Sequence, residues 1–317
     1  MILVLRALGV GDLATAAPAL RGLRRAFPRD ELCLAAPAWL APLVELVGGI
    51  DRLVPVAGLG PVRWPVHGPQ VAVNLHGRGP QSHRLLATAE PARLLGFACP
   101  EAGHDDGPRW RSDEHEVHRW CRLLHWYGVP ADRHDLALRV PAGGPSHPGA
   151  TVVHPGAKTP DRRWPTRRWS QVAAALAAGG HRVVVTGSAA ERDLAGRVAA
   201  GAGLPASAVL AGRTDLADLA GLVAAARIVV SGDTGIAHLA TAYGTPSVVL
   251  FGPQPPRLWG PPPERPWHRA VWRGAAGDDA GMVPGAPHPA LARITVDDVL
   301  AAVADALSVA PARRRTG

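Results

Sequence analysis

The sequence predicts an α/β protein built from two doubly wound, Rossmann-like domains that face one another across a cleft. Three observations carry this expectation: short apolar runs alternate with helical stretches, the Pro/Gly-rich segment PAGGPSHPGA at 141–150 interrupts them midway, and the same alternation restarts afterwards. At 317 residues and 47% hydrophobic content the chain is long and apolar enough to bury a core in each half. The boundary is expected near 145/146, giving domains 1–145 and 146–317.

In the first half the apolar runs are ILVLRAL (2–8), ELCLAAP (31–37), DRLVPV (51–56) and VAVNLHG (71–77), with helices over 12–26 and 38–47. The opening residues lack a basic stretch ahead of their apolar run, so they read as a first strand entering a helix and not as a signal peptide. In the second half TVVHPGA (151–157) is followed by a helix at 167–178, HRVVVTGS (181–188), a helix at 190–201, a short VLAG strand, and a helix at 215–226. Then comes IVVSGDTGIAHLATAYGTPSVVLFGP (228–253), two buried strands flanking a polar joint and a short helix. The final ITVDDVLAAVADALS, 294–308, has an acidic start and the spacing of an amphipathic helix. It is also a candidate to pack back on the N-terminal domain.

Composition narrows the function classes. No apolar window is long enough for a membrane span. Cys33, Cys99 and Cys121 form no CxxC pair, which argues against a disulfide framework or zinc ribbon and for a reducing cytoplasm. The formal charge of +8 is carried by arginine, Lys158 being the single lysine. That charge suits phosphate-bearing ligands or an anionic membrane surface, whereas nucleic acid is disfavoured because no RNP-like run, zinc-finger spacing or dense basic helix is present. The ARRR cluster at 312–315 reads as a solvated tail.

Ligands of doubly wound sheets bind beyond the carboxyl ends of the strands, so the polar residues there are the candidates. After the first strand, ALGVGDL offers Gly9, Gly11 and Asp12. Asp12 falls where the helix begins and needs no role beyond an N-cap. The segment is no dinucleotide fingerprint, since it lacks the third glycine. Asn74, His76 and Arg78 follow another strand and are candidate acceptor contacts, though a polar loop needs no function.

In the second half HPGAKTPDRRWP supplies Gly156, Lys158, Arg162 and Arg163, a basic loop suited to phosphate oxygens or simply to solvent. Glu191 in TGSAAERD suits a helix start electrostatically, or ribose hydroxyls. SGDTGIAH sets Asp233, Thr234 and Gly235 at a helix start with His238 one turn on, where free amides attract a phosphate. DEHEVHRWCRLLHW (113–126) carries His115, His118, Cys121 and His125, but its H-E-x-H is not the zinc-protease spacing, and the segment reads as an ordinary amphipathic helix.

The pairing of ILVLRALGVGDLATAAPALRGLRRAFP with VVSGDTGIAHLATAYGTPSVVLFGP, with VVHPGAKTPDRRWPTRRW between them, resembles the family-9 glycosyltransferases, the ADP-heptose:lipopolysaccharide heptosyltransferase group. That resemblance implies a GT-B fold, with a nucleotide-sugar donor held by the C-terminal domain and an acceptor by the N-terminal one. It implies Asp12 as the general base of an inverting transfer and Arg162 on the diphosphate. Glu191 would hold the ribose, and Asp233, Thr234, Gly235 and His238 the donor sugar and phosphate. It implies no cofactor and no metal, in keeping with the lack of a D-x-D sequence, and a monomer in the cytoplasm with peripheral contact at the inner face of the membrane. The chain departs from the family pattern at Ala7 and Leu8, where polar serines are common, and at Gln254, Pro255 and Pro256, where T-D-P is common. Contacts of those side chains do not carry over. The alternatives are a nucleotide-sugar epimerase or hydrolase of the same fold, and a non-catalytic nucleotide-sugar-binding module.

Overall fold

The computed structural model describes residues 1–64, 67–142, 147–278 and 283–311. The chain divides into two compact units, Met1–Arg139 and Val140–Gly317. The break therefore falls ahead of the Pro/Gly segment, part of which, 143–146, lies outside the described residues, as does the basic cluster at 312–315.

In the first unit, β1 (Ile2–Leu5), β2 (Leu32–Ala36), β3 (Arg52–Pro55), β4 (Val71–Asn74) and β5 (Leu94–Leu95) form one parallel sheet in the order β3-β2-β1-β4-β5. Ile2 to Leu5, Leu32 to Ala36 and Val71 to Asn74 are buried throughout. This explains why those strands read as apolar runs, with Asn74 at the end of one: a parallel strand covered on both faces has no solvent side to carry polar residues. The helices are α1 (Val10–Ala26), α2 (Ala41–Val47), α3 (Gln81–Ala87) and α4 (Glu116–Trp126), with α1 lying against α4.

In the second unit, β6 (Thr151–His154), β7 (Val183–Val185), β8 (Ile228–Gly232), β9 (Ser247–Phe251) and β10 (His268–Trp272) form a parallel sheet in the order β10-β9-β8-β6-β7. The expected VLAG strand is reduced to one bridge, Val185 to Val209, at the β7 edge. Counting that bridge, the order becomes the doubly wound one, with its reversal between β6 and β8. The helices are α5 (Thr166–Ala178), α6 (Arg192–Gly201), α7 (Leu216–Ala225), α8 (Gly235–Tyr243), α9 (Pro256–Trp259), α10 (Pro289–Ala292) and α11 (Val296–Ser308).

In the final helix Val299, Val303 and Ala306 bury an apolar stripe in the core of its own unit, together with Val248, Leu250 and Ile294. Thr295 caps it, its hydroxyl accepting from the Asp298 amide at 3.1 Å while the Asp298 carboxylate accepts from the Thr295 amide at 2.9 Å. Among the described residues no helix is long and apolar enough to cross a membrane, and Cys33, Cys99 and Cys121 are buried free thiols.

Candidate functional site

Each sheet reverses its strand order once, and most of the sequence-predicted residues lie at or beside those two switch points. In the first unit the reversal falls between β1 and β4. Asp12 sits there, but not as the helix cap: α1 begins at Val10 with Gly9 as the capping residue, so Asp12 is the third helical residue. Its Oδ2 accepts from the Gly9 amide at 3.1 Å, satisfying one of the donors that a helix start leaves unpaired. Its side chain is 28% exposed. The carboxylate is thus tethered on one oxygen and reachable by solvent or a ligand, which is the condition for accepting a proton from a bound hydroxyl.

Beneath Asp12 lies a residue that sequence reading did not single out. Arg6 follows β1 directly and is fully buried. Its Nε donates to the Asp12 carbonyl at 3.0 Å, its Nη1 donates to the Leu75 carbonyl, and its Nη2 lies 2.8 Å from Glu116 Oε1 and 3.5 Å from Asp12 Oδ1. Trp120 stacks on the guanidinium at 4.7 Å and donates its indole N–H to Glu116 at 2.8 Å. Glu116 also pairs with Arg119. Burial on its own would raise the Glu116 pKa, but the two arginines outweigh it and hold the carboxyl below its usual range, so this buried group is ionised.

The loop after β4 is a scaffold more than a set of outward contacts. Asn74 is fully buried, its amide nitrogen 2.8 Å from Ser82 Oγ, 3.2 Å from the Gly77 carbonyl and 3.0 Å from His83 Nδ1, and its carbonyl accepts from the His76 amide at 3.0 Å. A side chain with its bonds committed inward does not meet an acceptor, so the expected role of Asn74 gives way to one of holding the loop. His76 Nδ1 accepts from the Ala7 amide at 3.2 Å, joining the two loops of the switch point. Burial and the nearby Arg6 charge keep His76 below its usual pKa, Asp12 opposing them. Gly11 is half-buried in the first turn of α1, and Arg78 is exposed.

In the second unit the reversal falls between β6 and β8, where His154 pairs in register with Ser231. Glu191 closes a short turn before α6, its Oε2 accepting from the Ser188 amide at 2.8 Å and the Ser188 hydroxyl at 2.9 Å. That anchors one oxygen and lays the carboxylate over Gly156. A Cβ at Gly156 would come within 2.2 Å of Glu191 Oε1, so a side chain there would displace the carboxylate from this position. Behind them His154 contacts Thr186 Oγ1 through Nδ1 at 2.9 Å, and burial pushes its pKa down against the pull of Glu191. This neutral imidazole was not anticipated from sequence.

Arg162 and Asp233, expected to serve separate ligand groups, are paired with each other. The guanidinium Nη2 donates to the Asp233 carboxylate and, at 2.9 Å, to its carbonyl. Asp233 is 8% exposed at its side chain and Arg162 is 34% exposed, so the arginine keeps an open flank. Thr234 caps α8 in extended backbone without a capping bond from its side chain, and Gly235 is the first helical residue. The first amides of a helix have no partner within it, and with the aligned peptide dipoles they favour an anion. His238, one turn on, lies edge-to-face with Trp259 of α9 at 5.8 Å. Lys158 is exposed, whereas Arg163 folds back to donate to the Ala157 carbonyl at 3.0 Å.

Among the described residues no group of three or more His, Cys, Asp or Glu is arranged to hold a metal ion, those of the histidine-rich helix included. His115 caps α4 by accepting from the Val117 amide at 3.3 Å, Cys121 is buried, and His125 is engaged by Ala131 at 3.0 Å.

Comparison with known proteins agrees with this architecture. Residues 109–273 match the family described as glycosyltransferase family 9 (heptosyltransferase). The chain is 30% identical to lipopolysaccharide heptosyltransferase 1 of Pseudomonas aeruginosa over 295 residues, covering 82% of this chain and 80% of that protein. It is 26% identical to lipopolysaccharide heptosyltransferase 2 of Escherichia coli over 303 residues, covering 80% and 83%. Its fold matches the structure of E. coli ADP-heptose lps heptosyltransferase II with a TM-score of 0.75 at 23% identity, over 97% of this chain and 98% of that one, a GT-B architecture. On the length of the family match and the extent of this similarity, the chain belongs to glycosyltransferase family 9, the heptosyltransferases.

Proposed function

We propose that the chain transfers a heptose or closely related sugar from an ADP-linked donor to a hydroxyl of a glycan, glycolipid or small-molecule acceptor. The reading takes the transfer to invert the anomeric centre without a divalent metal. The observation that carries the donor half is the convergence of the Glu191 carboxylate on the bare backbone of Gly156, at the same switch point as the α8 start. Glu191 Oε1 is left to accept from ribose hydroxyls, because Ser188 holds the other oxygen. The amides at Gly235, the flank of Arg162, Lys158 and His238 meet the diphosphate. Asp233, aligned by Arg162, accepts from the sugar hydroxyls.

Asp12 supplies the base. It draws the proton from the acceptor hydroxyl as that oxygen attacks C1 from the face opposite the leaving diphosphate, while the cationic groups and the helix start stabilise the charge that departs. The remaining acceptor contacts come from the first unit, with Gly11, His76 and Arg78 as candidates. The reading also takes the protein to work as a monomer, with its formal charge of +8 suiting contact with an anionic membrane when the acceptor is a glycolipid.

A thermal-shift screen of ADP-, UDP- and GDP-sugars, ADP-heptoses first, is expected to show a clear ADP-heptose stabilisation, followed by acceptor-dependent transfer that survives EDTA and gives the inverted anomer. Turnover of the donor without any acceptor would favour the epimerase or hydrolase alternative. A flat screen would count against the donor assignment.

A further inference from the structure

Arg6 reaches two carboxylates of opposite exposure. Asp12, 28% exposed, lies 3.5 Å from Nη2, and Glu116, only 4% exposed, lies 2.8 Å from the same nitrogen. Glu116 is the first residue of α4, where a helix start favours a negative charge, and three donors converge on it: Arg6, Arg119 and the Trp120 indole. The guanidinium is further fixed by its bonds to the Leu75 and Asp12 carbonyls and by the Trp120 ring. A buried arginine placed this way has one short, well-satisfied ion pair and one long, weak one.

We propose that Glu116 is a positioning residue for Asp12 and acts through Arg6: by taking up the buried guanidinium it keeps that cation from closing on the catalytic carboxylate. This rests on the reading of Asp12 as the base. A carboxylate clamped by an unopposed arginine becomes a weaker base and loses the freedom to turn toward a hydroxyl, whereas a guanidinium already balanced by Glu116 anchors the backbone of Asp12 and leaves its Oδ1 available. The charged and titratable groups around the carboxylate are Arg6 from the end of β1, His76 from the loop after β4, and Glu116 with Arg119 from α4 behind Arg6. Of these, Glu116 is the nearest counter-charge to Arg6, so its removal turns the balance most directly toward Asp12.

The test is the pH profile of kcat in the full-length enzyme, with ADP-heptose and its acceptor, for wild type and Glu116→Gln. Neutralising Glu116 is expected to lower kcat about tenfold and to move the acid limb about one pH unit lower, because an arginine closing on a carboxylate stabilises its charged form. The donor KM is expected to stay within about twofold, since no donor contact is assigned to this unit. A merely structural Glu116 would lower activity without moving the limb. If Glu116→Gln is recovered unfolded or inactive, Glu116→Asp is read the same way: it keeps the charge but withdraws it from Arg6, and a smaller shift in the same direction is expected. An acid limb that coincides with that of wild type overturns the proposal. Turnover retained by Asp12→Asn would instead remove the base itself, so the two failures are distinguishable.

Discussion

The two switch points hold their carboxylates by different means. Around Asp12 the supporting charges are buried: Arg6 is fully enclosed and Glu116 nearly so, and side chains from β1, α1 and α4 are locked together over more than one hundred residues of sequence. Around Glu191 and Asp233, among the described residues, no buried ion-pair cluster stands behind the carboxylate: Ser188, three residues away, holds Glu191 over the bare backbone of Gly156, and Asp233, its side chain largely buried beside the helix start at Thr234, pairs with an arginine that is partly exposed. The difference matches the proposed tasks. A single carboxylate that must meet one hydroxyl in one geometry gains from rigid support beneath it. A site for an extended diphosphate gains from backbone amides and reachable cations, which keep their exposed faces until the ligand arrives.

The sharpest way to break this comparison is at its catalytic end. Asp12→Ala is expected to lower kcat by about 10²- to 10⁴-fold, the usual worth of a general base, while donor affinity measured by calorimetry changes by less than about twofold. Preserved turnover would reduce Asp12 to its helix-capping bond. At the other end, Gly156→Ala puts a methyl where the Glu191 carboxylate lies, and the flexible carboxylate, not the backbone, must yield. Donor affinity is therefore expected to fall about tenfold with little change in melting temperature, the loss of one or two well-placed hydrogen bonds. Unchanged donor binding would separate Glu191 from the ribose.

The smallest effect concerns a property the two units share. His83 in the first is held down to about 4 by burial, with the His104 charge adding to it, and His268 in the second to about 3 by burial, with Arg265 adding. Both are folded as neutral rings, and a depressed histidine pKa means that the unfolded chain binds more protons below its ordinary value near 6.5. Stability is accordingly expected to be full above that pH and to fall as the solution is acidified toward 4, seen as a declining melting temperature. His83→Gln and His268→Gln should each flatten that decline in part, provided the variant stays folded. A profile flat down to pH 4 would show that these rings titrate normally.

Much of the fold was legible because parallel strands covered on both faces are predominantly apolar: β1, β2, β4, β8 and β9 each carry a run of at least three apolar residues, and β6 carries a run of two. The strands that escaped notice are those at or near edges. Leu94–Leu95 is only two residues long, and His268–Trp272 mixes a histidine and an arginine into a half-exposed strand, so neither gives a buried-strand pattern. VLAG did look like a strand, yet only Val209 pairs, since a sheet edge can be finished by one bridge. The start of α8 was legible for a related reason: a helix start at a strand end is made by consecutive residues, and SGDTGIAH carries its glycines, its cap and its histidine in one run.

What the sequence determined by itself was the repeated α/β grammar, the motifs at the strand ends, and the family they resemble, because each is encoded in neighbouring residues. Tertiary structure decided how those motifs are wired. Only folding shows that Arg162 spends its charge on Asp233, that Asn74 turns inward to hold a loop, and that the final helix completes its own unit's core. It alone brings Arg6 and Glu116, 110 positions apart, to 2.8 Å beneath Asp12. A buried ion pair leaves no local signature: either partner seen alone is an ordinary charged residue, and the cost of enclosing it is offset by groups distant in the chain.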